Sequence, residues 1–259
     1  MSVLPQIIGH RGASAHAPEN TLAALQIALD VGADGVEFDV RLSKDDVPVV
    51  IHDANLKRTG GRNEKVSDLT AEELGNVEVG SWFNKGFPKR ANPAFSKETV
   101  PTLAAVLELL NQTTGLIYIE LKCGIKDHEP LAKAVCDTIR NSPQLSQMIV
   151  KSFKLAAIPV VRFQLPEVQT AALFEPKILD LVRGKKDIIT VAKEFGAHQL
   201  SLHTSLATKK FTALAKTAEM PVTIWTADNI KWPERCRERG IGALITNDPA
   251  KLIAARSKL

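Results

Sequence analysis

Glu37 and Asp39 stand two residues apart in the run Gly35-Val36-Glu37-Phe38-Asp39-Val40, so an extended chain turns both carboxylates to one face. A short polar stretch follows, then Pro48-Val49-Val50-Ile51-His52-Asp53. Read as a hairpin turning on Asp45-Asp46, the pairing sets His52 directly across from Asp39. Two carboxylates and an imidazole on one strand pair are costly to bury. The chemistry suited to them is holding a metal or moving protons.

Other reactive residues fall at the ends of apolar runs. His10 and Arg11 close the first, Glu120 and Lys122 share one face of a later one, and Lys151 and Phe153 end the next. His203 and Trp225 end two more. Three carboxylates, Glu37, Asp39 and Glu120, gathered in one mouth repel each other unless a cation sits among them. Oxygen donors favour Mg²⁺ or Ca²⁺ over zinc; the alternative is pairing with Arg41, Lys122 or another nearby base. His10 and His52 are the proton carriers suited to neutral pH. Arg11 and Lys122 offer a planar fork and a point charge for phosphate oxygens. Phe153, Trp225 and Trp82 are candidates to wall a pocket for a small alcohol. His203 reads as structural or supporting, and His16, His128 and His198 as ordinary loop or surface residues. Asn20 and Thr21 read as helix caps rather than substrate contacts. Cys123 has no oriented base beside it and is not read as a nucleophile.

The elements that must position these residues alternate from end to end. Candidate strands are Gln6–His10, Gly35–Arg41, Leu116–Lys122, Met148–Phe153, Val168–Phe174, His198–Leu202, Pro221–Trp225 and Ala243–Thr246. Between them, Leu22, Leu25 and Leu29 recur at helical spacing, as do Leu103, Val106, Leu107 and Leu110. Ile188 to Phe195 and Phe211 to Ala218 read likewise, and Pro249 suits the first turn of a final helix. Eight strand–helix units in about 250 residues predict an α/β fold, a (β/α)8 TIM barrel, with chemistry at the C-terminal strand ends. A doubly wound sheet would want a glycine-rich phosphate loop, which Gly9-His10-Arg11-Gly12 is not. Residues 54–99 leave this rhythm. They hold a predicted helix from Ser67 to Leu74 and the aromatics Trp82, Phe83 and Phe87, and they read as a small inserted subdomain after strand two, over the mouth.

The chain has 259 residues, 44% apolar and 24% charged, which fits one barrel domain over 1–259. Three scattered cysteines make neither a disulfide framework nor a zinc cluster. A net charge of +4 suits a small anionic substrate, and no aromatic–basic stripe points to nucleic acid. Met1-Ser2-Val3-Leu4-Pro5 lacks the pattern of a leader, and no run is long enough for an integral membrane segment, so a cytoplasmic location is expected. No feature of the sequence sets an oligomeric state.

The ordered set His10-Arg11-Gly12, Pro18-Glu19-Asn20-Thr21, Gly32 to Val40, Pro48 to Asp53, Val100 to Leu103, Ile119-Glu120-Leu121-Lys122, Ser152-Phe153, Trp225-Thr226 and Ile245 to Pro249 resembles the bacterial-type glycerophosphodiester phosphodiesterase family. The resemblance runs through nearly the whole chain. It implies a barrel with an insertion after strand two and a divalent metal, Mg²⁺ or Ca²⁺, on Glu37, Asp39 and Glu120. It further implies His10 and His52 as the acid–base pair, and Arg11 and Lys122 as phosphate contacts; we assign His10 as base and His52 as acid. The implied substrate is a glycerophosphodiester, such as glycerophosphocholine or glycerophosphoethanolamine, cleaved to sn-glycerol 3-phosphate and an alcohol. Two departures stand out. Lys151 precedes Ser152-Phe153 where the family commonly has Gln, and Ala227-Asp228 follows Trp225-Thr226 where Val-Asn is usual; both were expected on the substrate side. The rivals are a lysophospholipase D or phosphatidylinositol phospholipase C-like enzyme, needing an apolar landing surface such as Trp82, Phe83 and Phe87, and a binding-only barrel, which should have lost one of the reactive residues.

Overall fold

The β-branched runs pair in parallel, neighbour to neighbour, until the last strand meets the first. In this computed structural model, which describes residues 4–180 and 185–259, the eight barrel strands are β1 (Gln6–His10), β2 (Gly35–Leu42), β4 (Leu116–Leu121), β5 (Met148–Ser152), β6 (Gln169–Phe174), β7 (Gln199–His203), β8 (Val222–Trp225) and β9 (Ala243–Thr246). A ninth strand, β3 (Pro48–Val50), runs antiparallel on β2. Pairing of β1 with both β9 and β2 closes the barrel. The predicted TIM barrel is the observed fold. Met1, Ser2 and Val3, which carry part of the leader reading, lie outside the described residues.

Period-two alternation splits each strand between two cores. Val36, Phe38, Val40, Ile117, Ile119, Leu121 and Val150 point outward. They pack against α1 (Leu22–Asp30), α4 (Leu103–Leu109), α5 (His128–Ile139) and α6 (Ala157–Gln164). In the second half, α7 (Lys185–Glu194), α8 (Lys209–Thr217), α9 (Trp232–Arg239) and α10 (Pro249–Arg256) cover Ala172, Leu200, Leu202, Ile224 and Leu244. The inward set Ile8, Tyr118, Ile149, Ala171, Ala243 and Ile245 fills the barrel interior. Tyr118 bridges the interior, its hydroxyl 3.0 Å from Thr223 Oγ1. These side chains form an apolar floor beneath the strand ends.

The hairpin differs from expectation by one residue. The register is Val40 to Val50 and Arg41 to Val49, and the Ile51 amide donates to Asp39 O at 2.9 Å. Asp39 therefore faces Ile51, not His52. The loop holds three residues, Lys44, Asp45 and Asp46, closed by Ser43 N to Val47 O at 3.0 Å with Asp46 left-handed at φ 60°. That is a type I turn with a bulge rather than a two-residue turn, and Asp tolerates the left-handed position.

Residues 54–99 carry α2 (Ala71–Gly75) and α3 (Ser81–Gly86) among short 3-10 turns. The predicted Ser67 to Leu74 helix is broken. A 3-10 turn covers Val66–Asp68, and Thr70 starts α2 afresh with a capping box, its hydroxyl accepting from Glu73 N while Glu73 accepts from Thr70 N. Leu56, Val66, Leu74, Val77 and Val79 pack on Val49, Ile51 and Val100. Phe83 is buried with Ala17, Ala24 and Phe95. No helix among the described residues is long and apolar enough to cross a membrane.

Candidate active site

Parallel register sets the reactive residues at one level. His10 lies beside Glu37, and Asp39 lies beside Glu120, which lies beside Lys151. Glu37, Asp39 and Glu120 are all buried, and each offers an oxygen within 4.8 Å of the others. At an effective dielectric of about 20, each such carboxylate pair repels by about 3 kcal/mol. Glu37 Oε1, Asp39 Oδ1 and Glu120 Oε1 are met only by lysine ammoniums. Three convergent buried carboxylates fit a hard divalent cation.

Cations already surround the cluster. Arg11 Nε lies 3.0 Å from Asp39 Oδ2, and its Nη1 is 2.7 Å from Glu19 Oε1. Lys122 Nζ reaches Asp39 Oδ1 at 3.2 Å and also pairs with Glu120. Lys151 Nζ lies 2.8 Å from Glu37 Oε1 and 3.5 Å from Glu120 Oε2. Burial pushes the Asp39 carboxyl up, but Lys122, Arg11, His52 and the Asn20 amide outweigh it and hold it well below the usual range. Burial likewise opposes ionisation of Glu37, and Lys151 and His10 overcome it. Burial disfavours the charged forms of Arg11 and Lys122, yet the neighbouring acids raise both above their ordinary values.

His10 touches this cluster, and His52 is near enough to help hold Asp39 ionised. His10 Nε2 lies 3.9 Å from Glu37 Oε2, and its Nδ1 is 2.7 Å from Asn247 Oδ1. Asn247 Nδ2 donates to Asp228 Oδ2 at 2.7 Å, which fixes the amide so that its oxygen faces His10. Nδ1 of His10 therefore donates to that oxygen, which leaves Nε2 as the ring nitrogen facing Glu37. His52 Nδ1 lies 2.6 Å from Asp53 Oδ1. Burial raises the Asp53 carboxyl, but Arg58 and His52 hold it down at about 2, so it remains an acceptor. Arg58 continues the chain, donating to Asp53 Oδ2 at 2.7 Å and through both terminal nitrogens to Glu19 at 2.9 and 2.7 Å.

Residues 10–251 match the model of the glycerophosphoryl diester phosphodiesterase family. The chain belongs to that family. It is a phosphoric diester hydrolase accordingly. A glycerophosphodiester phosphodiesterase of Caldanaerobacter subterraneus subsp. tengcongensis is 30% identical over 247 residues, 95% of this chain and 96% of the relative. One from Bacillus altitudinis is 27% identical over 261 residues, covering 99% and 100%. Among solved structures, a phosphodiesterase of Oleispira antarctica in complex with the product sn-glycerol-3-phosphate aligns with a TM-score of 0.85 at 27% identity, covering 98% of this chain and 97% of that one.

Within this phosphodiesterase barrel, the remaining candidates line the far side of the mouth. The Phe153 and Trp225 rings meet edge to face at 5.3 Å, and His203 meets Trp225 at 5.4 Å. Lys122 Nζ stands 5.7 Å from the Phe153 ring centre, linking this wall to the charged cluster. A wide polar cavity of about 810 Å³ opens elsewhere, lined by Gln6, Asp34, Glu108 and Asn111 at the N-terminal ends of the strands. None of the candidate residues lines it, and that end of a barrel serves stability.

Three readings need correction. Asn20 is no cap: Thr21 caps α1, while Asn20, left-handed at φ 60°, donates from Nδ2 to Asp39 Oδ2 at 2.8 Å and accepts from Asp39 N at 3.1 Å. Lys151 is 1% exposed and paired with Glu37 and Glu120, not on the substrate side. Phe83 is fully buried and Trp82 Nε1 donates to Val79 O, so of that trio only Phe87 remains largely exposed. Glu19, Asp53, Arg58, Asp228 and Asn247 were also missed as site residues. Asp53 and Asn247 sit inside quoted motifs, but their partners come from distant segments. The Arg11–Gly12 corner is tight as well. Arg11 is left-handed at φ 53°, and a Cβ on Gly12 would lie 2.3 Å from the Ala24 backbone.

Proposed function

We propose that this chain hydrolyses glycerophosphodiesters to sn-glycerol 3-phosphate and an alcohol by histidine acid–base catalysis at a divalent-metal site. The observation that carries the reading is three convergent buried carboxylates with two imidazoles near them, each ring anchored through Nδ1. The product-bound relative from Oleispira antarctica supports the same substrate class.

Glu37, Asp39 and Glu120 would hold the metal, which supplies Lewis-acid stabilisation of the phosphoryl oxygens when bound. Arg11 and Lys122, both cationic and each part-exposed, bind non-bridging phosphate oxygens. His10, with a neutral amide on Nδ1, takes at Nε2 a proton from the attacking water, or from the neighbouring glycerol hydroxyl, in which case a cyclic phosphate forms and a water then opens it to glycerol 3-phosphate. His52, held through Nδ1 by the Asp53 carboxylate, gives a proton to the departing alkoxide. Phe153 and Trp225 wall the organic arm. Residues 54–99 form the wall beside His52, fastened by Arg58 to Glu19 and Asp53.

The test is glycerol 3-phosphate release from glycerophosphocholine, glycerophosphoethanolamine and lysophospholipid vesicles, with and without chelator. Release from the soluble diesters, abolished by chelator and restored by Mg²⁺ or Ca²⁺, is the expected result. Turnover confined to vesicles would replace this reading with the lipid-directed one, and chelator-insensitive turnover would remove the metal.

A further inference from the structure

Three acids at the site are matched by three cations in direct contact, Arg11, Lys122 and Lys151. The three are not equivalent. Arg11 and Lys122 keep side-chain exposures of 17% and 15%, so they can turn toward a phosphate at the mouth. Lys151 is enclosed at 1%. It rises from β5 between Glu120 on β4 and the small Ala171 on β6. Its ammonium is closed off from solvent and lies 2.8 Å from Glu37 Oε1.

We infer that Lys151 is a built-in counter-cation that competes with the divalent ion for Glu37 and Glu120 and so sets the metal affinity of the site. The inference rests on the metal reading above. Two acids that would ligate the ion already share a fixed positive charge. An arriving ion must displace the ammonium from Glu37 while remaining next to it, because the ammonium cannot leave. The charge weakens the ion's hold on the site and at the same time relieves the mutual repulsion of the carboxylates when no ion is bound. Lys151 is thus a positioning residue; it touches neither substrate nor the reacting phosphorus.

The experiment is calorimetric titration of Mn²⁺ into chelator-stripped wild type, Lys151→Gln and Lys151→Met at one pH, with Tm measured before and after saturation. Both variants should bind the ion roughly 10- to 100-fold more tightly than wild type. Their stripped forms should melt below stripped wild type, with the gap closing on saturation. Equal or weaker affinity in the variants overturns the role of Lys151 alone. Absence of Mn²⁺ binding by all three proteins overturns the metal reading, and this inference with it. Should neither variant fold, a wild-type crystal soaked in Mn²⁺ decides: Nζ must give up its contact with Glu37 Oε1, and an ion held by Glu37 and Glu120 with that contact intact overturns the proposal.

Discussion

Strands β1 to β5 bring to the mouth two imidazoles, three carboxylates and three cations, whereas β6 to β9 end in Phe174, His203, Trp225 and Thr246. The charged half is held by parallel register, which lines His10 with Glu37 and Asp39 with Glu120 and Lys151. The second half supplies the aromatic wall and the Asn247–Asp228 pair that fixes His10 from 237 residues away. Reacting groups are concentrated where neighbouring strands can align them, and the opposite half orients and encloses. Barrel closure between β1 and β9 makes the second role possible.

The sharpest way to break this division is to remove each imidazole. His10→Ala and His52→Ala should each lower kcat about 10²-fold or more with unchanged circular dichroism; near-normal turnover in either would take that ring out of the chemistry. The contribution of the second half is tested by Asn247→Ala. Loss of the fixed tautomer should cut kcat by up to about 10²-fold with little change in KM. A KM-only effect would make Asn247 a substrate contact instead. The link between the halves is read from Tyr118→Phe. Losing its hydroxyl contact to Thr223 should cost about 1 kcal/mol in urea unfolding, with kcat preserved.

The smallest effect is a pH dependence confined to the charged half. Asp53 is held at about 2, below its ordinary value of about 3.9. A depressed carboxylate stabilises the fold above its unfolded value and loses that contribution as pH falls through the folded one. The Tm advantage of wild type over Asp53→Asn should therefore be full above about pH 4 and shrink toward pH 2. An advantage that stays constant over that range would show that the Asp53 ion pairs add no stability.

Much of the site was legible because strand alternation is local. Glu37 with Asp39, and Glu120 with Lys122, announce a shared face from a spacing of two alone, and apolar periodicity marks eight repeating units. The His52 pairing was misplaced by one residue because turn type, not strand pattern, sets hairpin register, and a left-handed Asp46 adds a residue to the loop. Asn20 was misread because Asn is a good cap in any sequence; only the fold shows the helix already capped by Thr21 and the amide spent on Asp39.

By itself, the sequence determined which strand ends carry acid, base and imidazole, since residue type and period two depend on nothing distant. Tertiary structure alone decided which charges meet. Lys151 points inward like many strand residues, and only the register of β5 on β4, with full enclosure, makes it a partner of Glu37 and Glu120 rather than a substrate contact. The same holds for Asn247, whose contact with His10 exists because the last strand of the barrel hydrogen-bonds to the first. Ion pairing falls off with distance through space, and closing the barrel brings together residues that lie far apart along the chain.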